Sequence, residues 1–167
     1  MQLFIHDLTE EKDIARFITS TNDTHVVGEQ SSFSSCVGCF DCWVKTPGQC
    51  ILRDGYETLG QTMGACETLL IVSRVLYGSE SPFVKSVLDR SIAYVLPLFT
   101  IRKGRMLHRQ RYKHKPAMTV LFYGVAPTSE EADTARKLVF AQARNLMIKQ
   151  VTIKFYDTLD ALREATS

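Results

Sequence analysis

Short apolar runs alternate along this chain with apolar positions at helical spacing. Leu3, Phe4 and Ile5, within residues 2–6, predict a first short strand. Thr9, Glu10 and Glu11 form an acidic helix start, and Ile14, Phe17 and Ile18 follow at helical spacing. His25, Val26 and Val27 predict a second short strand. Residues 31–55 show neither period and read as an irregular segment. Tyr56, Leu59 and Met63 then mark one face of a helix whose end is blurred near Gly64. Thr68–Val72 is a continuous apolar run, the pattern of a strand buried on both faces. Ser81 and Pro82 supply a capping hydroxyl and a first-turn proline, with Phe83, Val84, Val87, Leu88 and Ile92 at helical spacing and Pro97 as the expected stop. Residues 118–123 predict another buried strand, ended by Gly124. Thr128 and Glu131 have capping-box spacing and open a long helix to about Met147. Residues 151–156 predict the last strand, and a short helix closes the chain.

Strands alternating with helices imply a parallel sheet covered on both faces. Five strands in 167 residues suit an α/β, flavodoxin-like, doubly wound sheet of order 2-1-3-4-5, as a single domain over 1–167. No repeat, low-complexity tract or linker interrupts it.

Composition narrows the class. Hydrophobic residues make up 45% and charged residues 23%, as in ordinary globular domains. No apolar run approaches the roughly 20 residues that cross a bilayer. Residues 1–7 are too short and too soon charged for a secretory signal, so a cytoplasmic location is expected. There, five cysteines are expected as thiols or ligands rather than disulfides.

The net charge of +2 conceals an asymmetry. No Asp or Glu lies between Asp89 and Glu130, whereas Arg102, Lys103, Arg105, Arg109, Arg111, Lys113 and Lys115 do. Such a segment could meet a nicotinamide dinucleotide phosphate, the acidic surface of an electron-transfer partner or another subunit, or form a solvated loop. Nucleic acid is not expected, because only Tyr112 interleaves an aromatic ring and no nucleic-acid motif is present. His108, Arg111 and Tyr112 could tie the excursion back to the sheet. Val95, Leu96, Leu98 and Phe99 exceed what one helix end needs to bury, so a homodimer or larger assembly is expected.

Cys36, Cys39, Cys42 and Cys50 give Cys-x2-Cys-x2-Cys-x7-Cys. A cuboidal four-iron four-sulfur (4Fe–4S) cluster needs four thiolates converging from different directions, and a close trio plus an outlier supplies them. The run is close to the bacterial ferredoxin pattern, with a longer last gap and no proline after Cys50. Structural zinc usually takes two separated cysteine pairs, which are absent here. Free or redox-sensing thiols are the other reading. Cys66 reads as a small buried hydrophobe.

The cysteine motif, then Ser73-Arg74-Val75-Leu76-Tyr77-Gly78-Ser79 after a buried strand, then Lys85 and Leu88-Asp89-Arg90, resemble the NAD(P)H-dependent FMN reductase-like flavoproteins, and among them the iron–sulfur flavoproteins. The resemblance runs from about Leu3 to Phe155 and implies a flavodoxin-like fold with FMN at the carboxyl ends of the strands. It implies FMN contacts from Thr9 in the first loop and from Ser73, Val75, Tyr77, Gly78 and Ser79 in the next. Tyr123 and Gly124 would supply a third. Two departures fall on that site. Where the family has a Gly-Ser-x-Arg phosphate loop, this chain has Asp7-Leu8-Thr9-Glu10-Glu11. Each carboxylate near a phosphate would cost on the order of 1–3 kcal/mol at the dielectric of a protein surface. Arg74 and Leu76 also replace the family's proline and tyrosine. Lys85, Asp89 and Arg90 fit an i,i+4 pair and a structural ion pair better than catalysis.

The expected function is an oxidoreductase or electron carrier of this type, with FMN taking hydride or electrons and the cluster passing them singly to a partner. The alternative is a flavodoxin-fold protein that has lost flavin and acts as a partner subunit or thiol redox sensor. No catalytic acid–base pair is expected.

Overall fold

The computed structural model describes residues 1–18, 23–29 and 32–166. Five strands form one parallel sheet: β1 (Gln2–His6), β2 (Thr24–Val27), β3 (Thr68–Arg74), β6 (Ala117–Tyr123) and β7 (Val151–Tyr156). β4 (Val95–Arg102) and β5 (Arg105–Gln110) form a separate antiparallel pair. The sheet order is β2-β1-β3-β6-β7, not the expected 2-1-3-4-5, because this hairpin enters the chain between the third and fourth parallel strands. Ser31, where the irregular segment was expected to begin, lies outside the described residues.

Alternation along the strands builds the two cores. Leu3, Ile5, Leu69, Ile71, Met118, Val120 and Phe122 face one side, which is covered by α3 (Leu59–Ala65), α4 (Pro82–Arg90) and α5 (Glu130–Asn145). Phe4, Leu70, Val72 and Leu121 face the other, where Leu8 and Phe17 pack beside α1 (Glu11–Ala15) and Leu162 comes from α6 (Leu159–Ala165). Successive strand side chains point to opposite faces, so a strand apolar throughout needs cover on both.

Two helix boundaries differ from the sequence reading. The cap of α5 is Ser129, whose hydroxyl accepts from Ala132 N at 3.1 Å, not Thr128 one residue earlier. Pro97 does not stop a helix. α4 ends at Arg90, a 3-10 turn (Ser91–Tyr94) follows, and Pro97 lies inside β4. Proline is tolerated there because β4 pairs on one side only. At the hairpin tip Lys103 and Gly104 take φ of 50° and 73°, the positive pair that a two-residue type I′ turn requires.

The hairpin is tied to the body as expected. Arg111 Nε donates to Ala93 O at 2.9 Å, and the Tyr112 ring stacks on Tyr94 at 5.8 Å. A Cβ at Gly64 would lie 2.5 Å from the Tyr112 ring, so only glycine lets that ring approach α3. Gly64→Ala should therefore lower the melting temperature measurably, while Gly104→Asn at the exposed turn should leave it nearly unchanged, Asn being tolerant of this backbone. Among the described residues no helix is long and apolar enough to cross a membrane.

Candidate functional site

The irregular segment after β2 is a loop wound around the short helix α2 (Asp41–Val44). Gly38 and Phe40 take φ of 67° and 60°, turning the chain between the first three cysteines. Trp43 seats the loop: its Nε1 donates to Val95 O at 2.9 Å, and its ring lies 5.4 Å from Phe40 and 5.2 Å from His108. Phe33 packs edge-on against Tyr56 and Phe83.

These anchors bring Cys36, Cys39, Cys42 and Cys50 to the wall of one cavity of about 220 Å³, whose apolar side is Ile51, Leu88 and Ile92. Cys36 and Cys39 are exposed, and Cys42 and Cys50 are half-buried. Burial pushes the Cys42 thiol up, reinforced by Cys50, Cys36 and Cys39. Among the described residues, no group of three or more His, Cys, Asp or Glu side chains could hold a metal ion. The four thiols share a cavity without forming a single-ion site. A lone zinc needs its sulfurs about 2.3 Å from one point. A cuboidal cluster instead takes one thiolate at each of four separate corners, so its ligands must surround a space.

Arg90 closes this cavity. Its side chain is 0% exposed and pairs with Asp54, which is 7% exposed. Nη1 also donates to Ser34 O at 2.9 Å, while Nε and Nη2 have no hydrogen-bond partner among the described residues and the guanidinium lies 5.2 Å from the Phe33 ring centre. Burial works against the guanidinium charge, but Asp54 and Cys50 outweigh it and hold Arg90 above its ordinary value. Burial likewise opposes the Asp54 charge. Hydrogen bonds from Arg90, Ser34 N and Tyr56 N overcome it and pull Asp54 below its ordinary value. Sequence reasoning missed Asp54, which carries no motif. The i,i+4 pair of Lys85 and Asp89 is present as expected.

The cavity flanks the last turn of α4, about 12 Å along the helix axis from its first residue at 1.5 Å per residue. It therefore does not lie near the carboxyl end of the sheet. α4 leaves β3 at that end and runs back along the strands.

The carboxyl ends of β1, β3 and β6 gather the expected flavin residues, with a different centre. Asp7 Oδ2 accepts from Arg74 N at 2.9 Å and lies 3.4 Å from Ser73 Oγ, while Oδ1 accepts from the Tyr123 hydroxyl at 3.0 Å. Asp7 thus bridges the crevice where the strand order reverses. Burial, then the Asp7 charge, pushes the Tyr123 hydroxyl far up, so it stays a donor. Ser73 is buried and accepts from Ser81 N at 2.9 Å, which makes it part of the scaffold. Val75 N donates to Tyr123 O at 3.0 Å. Leu76 and Ser79 exchange two backbone bonds of 3.0 Å, folding Tyr77 and Gly78 into a tight turn with Tyr77 95% exposed. Gly78 packs against Thr134, and Ser79 Oγ donates to Glu80. Thr9, Tyr77 and Gly124 are left open to solvent.

The phosphate of FMN does not fit the first loop. α1 has five residues with Glu10 at its N-cap, no side-chain cap and Glu11 in its first turn. Glu10 pairs with Lys12 at 2.6 Å and Arg163 at 3.3 Å. The turn at Tyr77–Gly78 follows β3, and Tyr123 ends β6, so both lie at the carboxyl ends of the strands.

Comparison with known proteins defines the fold. No protein-family model matches the sequence, and no curated protein matches it. Solved structures do match over nearly the whole chain. An FMN-dependent NADH-azoreductase from Bacillus anthracis in complex with FMN shares 16% identity, covering 99% of this chain and 93% of that one, with a TM-score of 0.62. An NAD(P)H:quinone oxidoreductase from Methanothermobacter marburgensis shares 14% over 99% and 93%, also with a TM-score of 0.62. The Trp repressor binding protein from Bacillus subtilis shares 12% over 99% and 94%, with a TM-score of 0.53. This protein therefore has the flavodoxin-like α/β fold of those proteins.

The thiols differ in a way labelling can read. Burial pushes Cys66 up to about 11, and it is 0% exposed. With no metal added, iodoacetamide at neutral pH should label Cys36 and Cys39 first and leave Cys66 unlabelled until the protein unfolds, as peptide mass mapping would show.

Proposed function

We propose that this chain is a redox protein of the flavodoxin-like reductase type, whose four cysteines hold a 4Fe–4S cluster and which works with flavin as an electron carrier or oxidoreductase. The observation that carries the reading is the shared cavity of Cys36, Cys39, Cys42 and Cys50 beside a buried arginine whose Nε and Nη2 have no hydrogen-bond partner among the described residues. Four thiolates make such a site strongly anionic, and Arg90 offers the opposing charge and free donors where it is needed. Ile51, Leu88 and Ile92 limit water on the apolar side. A bound cluster would supply one-electron transfer. The chain's own part is to present four sulfurs, exclude water and hold Arg90 fixed through Asp54.

One structural neighbour is by name an FMN-dependent NADH-azoreductase in complex with FMN and another an NAD(P)H:quinone oxidoreductase, which supports a flavin-dependent reaction with NAD(P)H as donor. In this chain the flavin ring would meet the loops at Tyr77–Gly78 and Tyr123–Gly124, with no phosphate anchor in the first loop. A second reading follows from Asp7, which spans the crevice on its own hydrogen bonds. It is a partner subunit that holds no flavin and serves through its thiols. Leu98, Phe99, Ile101 and Met106 are each more than half exposed on the hairpin and support self-association as a homodimer.

Anaerobic reconstitution with iron and sulfide is the test. The expected result is about four irons and four sulfides per chain, lost when Cys36, Cys42 or Cys50 is changed to serine, with flavin bands appearing on addition of riboflavin or FMN. Iron and sulfide uptake without flavin binding would select the partner-subunit reading. No uptake by the wild-type protein would overturn the cluster. Sedimentation showing only monomer at micromolar concentration would overturn the homodimer.

A further inference from the structure

At the amino ends of the strands, the hairpin and the end of α5 flank an open cavity of about 320 Å³. Its rim carries Arg102, Lys115, Arg144 and Lys149, and its apolar lining includes Leu107, Phe140, Met147 and Val151. A second cavity continues it through Arg102, Leu107 and Arg144 and adds Lys103 and Arg105. Among the described residues, none of these six cations forms an ion pair or a side-chain hydrogen bond. No carboxylate occurs from residue 90 to residue 129. The acidic residues of α5 lie in its first turn, with Asp133 about 16 Å along the axis from Arg144.

One cation in the last turn of a helix is ordinary, since it complements the carbonyl end of the dipole. Six cations on cavity walls that include no carboxylate repel one another and favour an anionic guest. The lining adds a second requirement. Phe140 is 52% exposed although it sits among apolar neighbours, so the site also offers uncovered apolar surface. The volume falls in the range of small-ligand pockets.

We propose that this cavity binds a soluble organic diphosphate of nucleotide size, with the phosphates on Arg102, Lys115, Arg144 and Lys149 and the ring system on Phe140 and Met147. Val151 opens β7 and pairs with Met118 at the start of β6, so the pocket lies at the amino ends of the strands. Tyr156, at the carboxyl end, is about 17 Å further along β7 at 3.3 Å per residue. The site is thus separate from the flavin loops, and it shares no lining residue with the cysteine cavity.

Titration calorimetry of the full chain with ADP, inorganic pyrophosphate, adenosine and phosphatidylglycerol vesicles tests this. ADP is expected to bind about tenfold more tightly than pyrophosphate, and adenosine and vesicles not to bind. Arg144→Glu should weaken ADP by about tenfold or more, the loss of one charge-assisted contact, at an unchanged melting temperature. Phe140→Ser should bring ADP down to the pyrophosphate level. Raising salt to physiological strength should weaken both ligands, because exposed charges are screened beyond about 8 Å. ADP that does not bind, or binds Arg144→Glu as well as wild type, overturns the proposal. Vesicle binding without ADP binding also overturns it and assigns the cations to a lipid surface.

Discussion

Replacing Asp54 with alanine should destabilise the fold by about 3–5 kcal/mol, the usual result of removing one partner from a buried ion pair. The side chains of Arg90 and Asp54 are 0% and 7% exposed, and Asp54 also accepts from Ser34 N and Tyr56 N at 2.8 and 3.2 Å. The alanine variant would strand a guanidinium whose Nε and Nη2 already lack hydrogen-bond partners among the described residues. Urea unfolding at neutral pH measures the loss. The double change Asp54→Ala with Arg90→Leu should recover much of it, because the stranded charge is gone. The effect also has a pH dependence of known sign. Asp54 is held below its ordinary value of 3.8, so its contribution is complete above that value and fades as pH falls through and below it. The gap between wild type and Asp54→Ala should shrink over that acid range. A constant gap down to low pH would show that the carboxylate charge is not what holds the loop. Asp54 and Arg90 link the cysteine segment to α4, so the variant should also lose cluster assembly under conditions where it remains folded.

The second large effect concerns the crevice at Asp7. Wild-type protein should bind FMN and riboflavin within about tenfold of each other, whereas an intact phosphate site would separate them by several kcal/mol. Asp7→Asn should shift the preference toward FMN by about 1–3 kcal/mol, the Coulombic effect of one nearby carboxylate. The substitution can keep the local bonds. The amide oxygen can accept from Arg74 N, now bonded at 2.9 Å, and the amide nitrogen can donate to the Tyr123 oxygen, now at 3.0 Å. Equilibrium dialysis with both flavins, checked against the melting temperature, measures the change. A wild-type preference for FMN of a hundredfold or more would show that a phosphate site exists despite Asp7, Glu10 and Glu11.

Much of the architecture was legible because burial on both faces writes itself into a strand directly. Leu69–Val72 and Met118–Phe122 are apolar at nearly every position, and the structure buries both faces of each. The helices α4 and α5 were equally plain, since Ser81 with Pro82 marks a start and apolar spacing marks a face. The hairpin was hidden. Leu96, Leu98, Phe99 and Ile101 show no clean alternation, and a proline sits among them, so local signals favoured a broken helix. Only the antiparallel pairing of the two halves, Phe99 opposite His108 and Ile101 opposite Met106, decides that it is β4 and β5.

The sites divide in the same manner. Sequence spacing alone singled out Cys36, Cys39, Cys42 and Cys50, because thiols three apart have few other uses, and the acidic first loop was plain from Asp7, Glu10 and Glu11. Tertiary structure alone could decide where those thiols lie, that Arg90 and Asp54 close their cavity, and that Asp7 spans the strand ends on hydrogen bonds from Arg74 and Tyr123. The reason is range. A helix face, a cap or a cysteine run is written over a few neighbouring residues, whereas Asp54 and Arg90 stand 36 apart in the chain and Asp7 and Tyr123 stand 116 apart. Nothing in the identity of either member names its partner until the packing of the sheet and helices brings the two together.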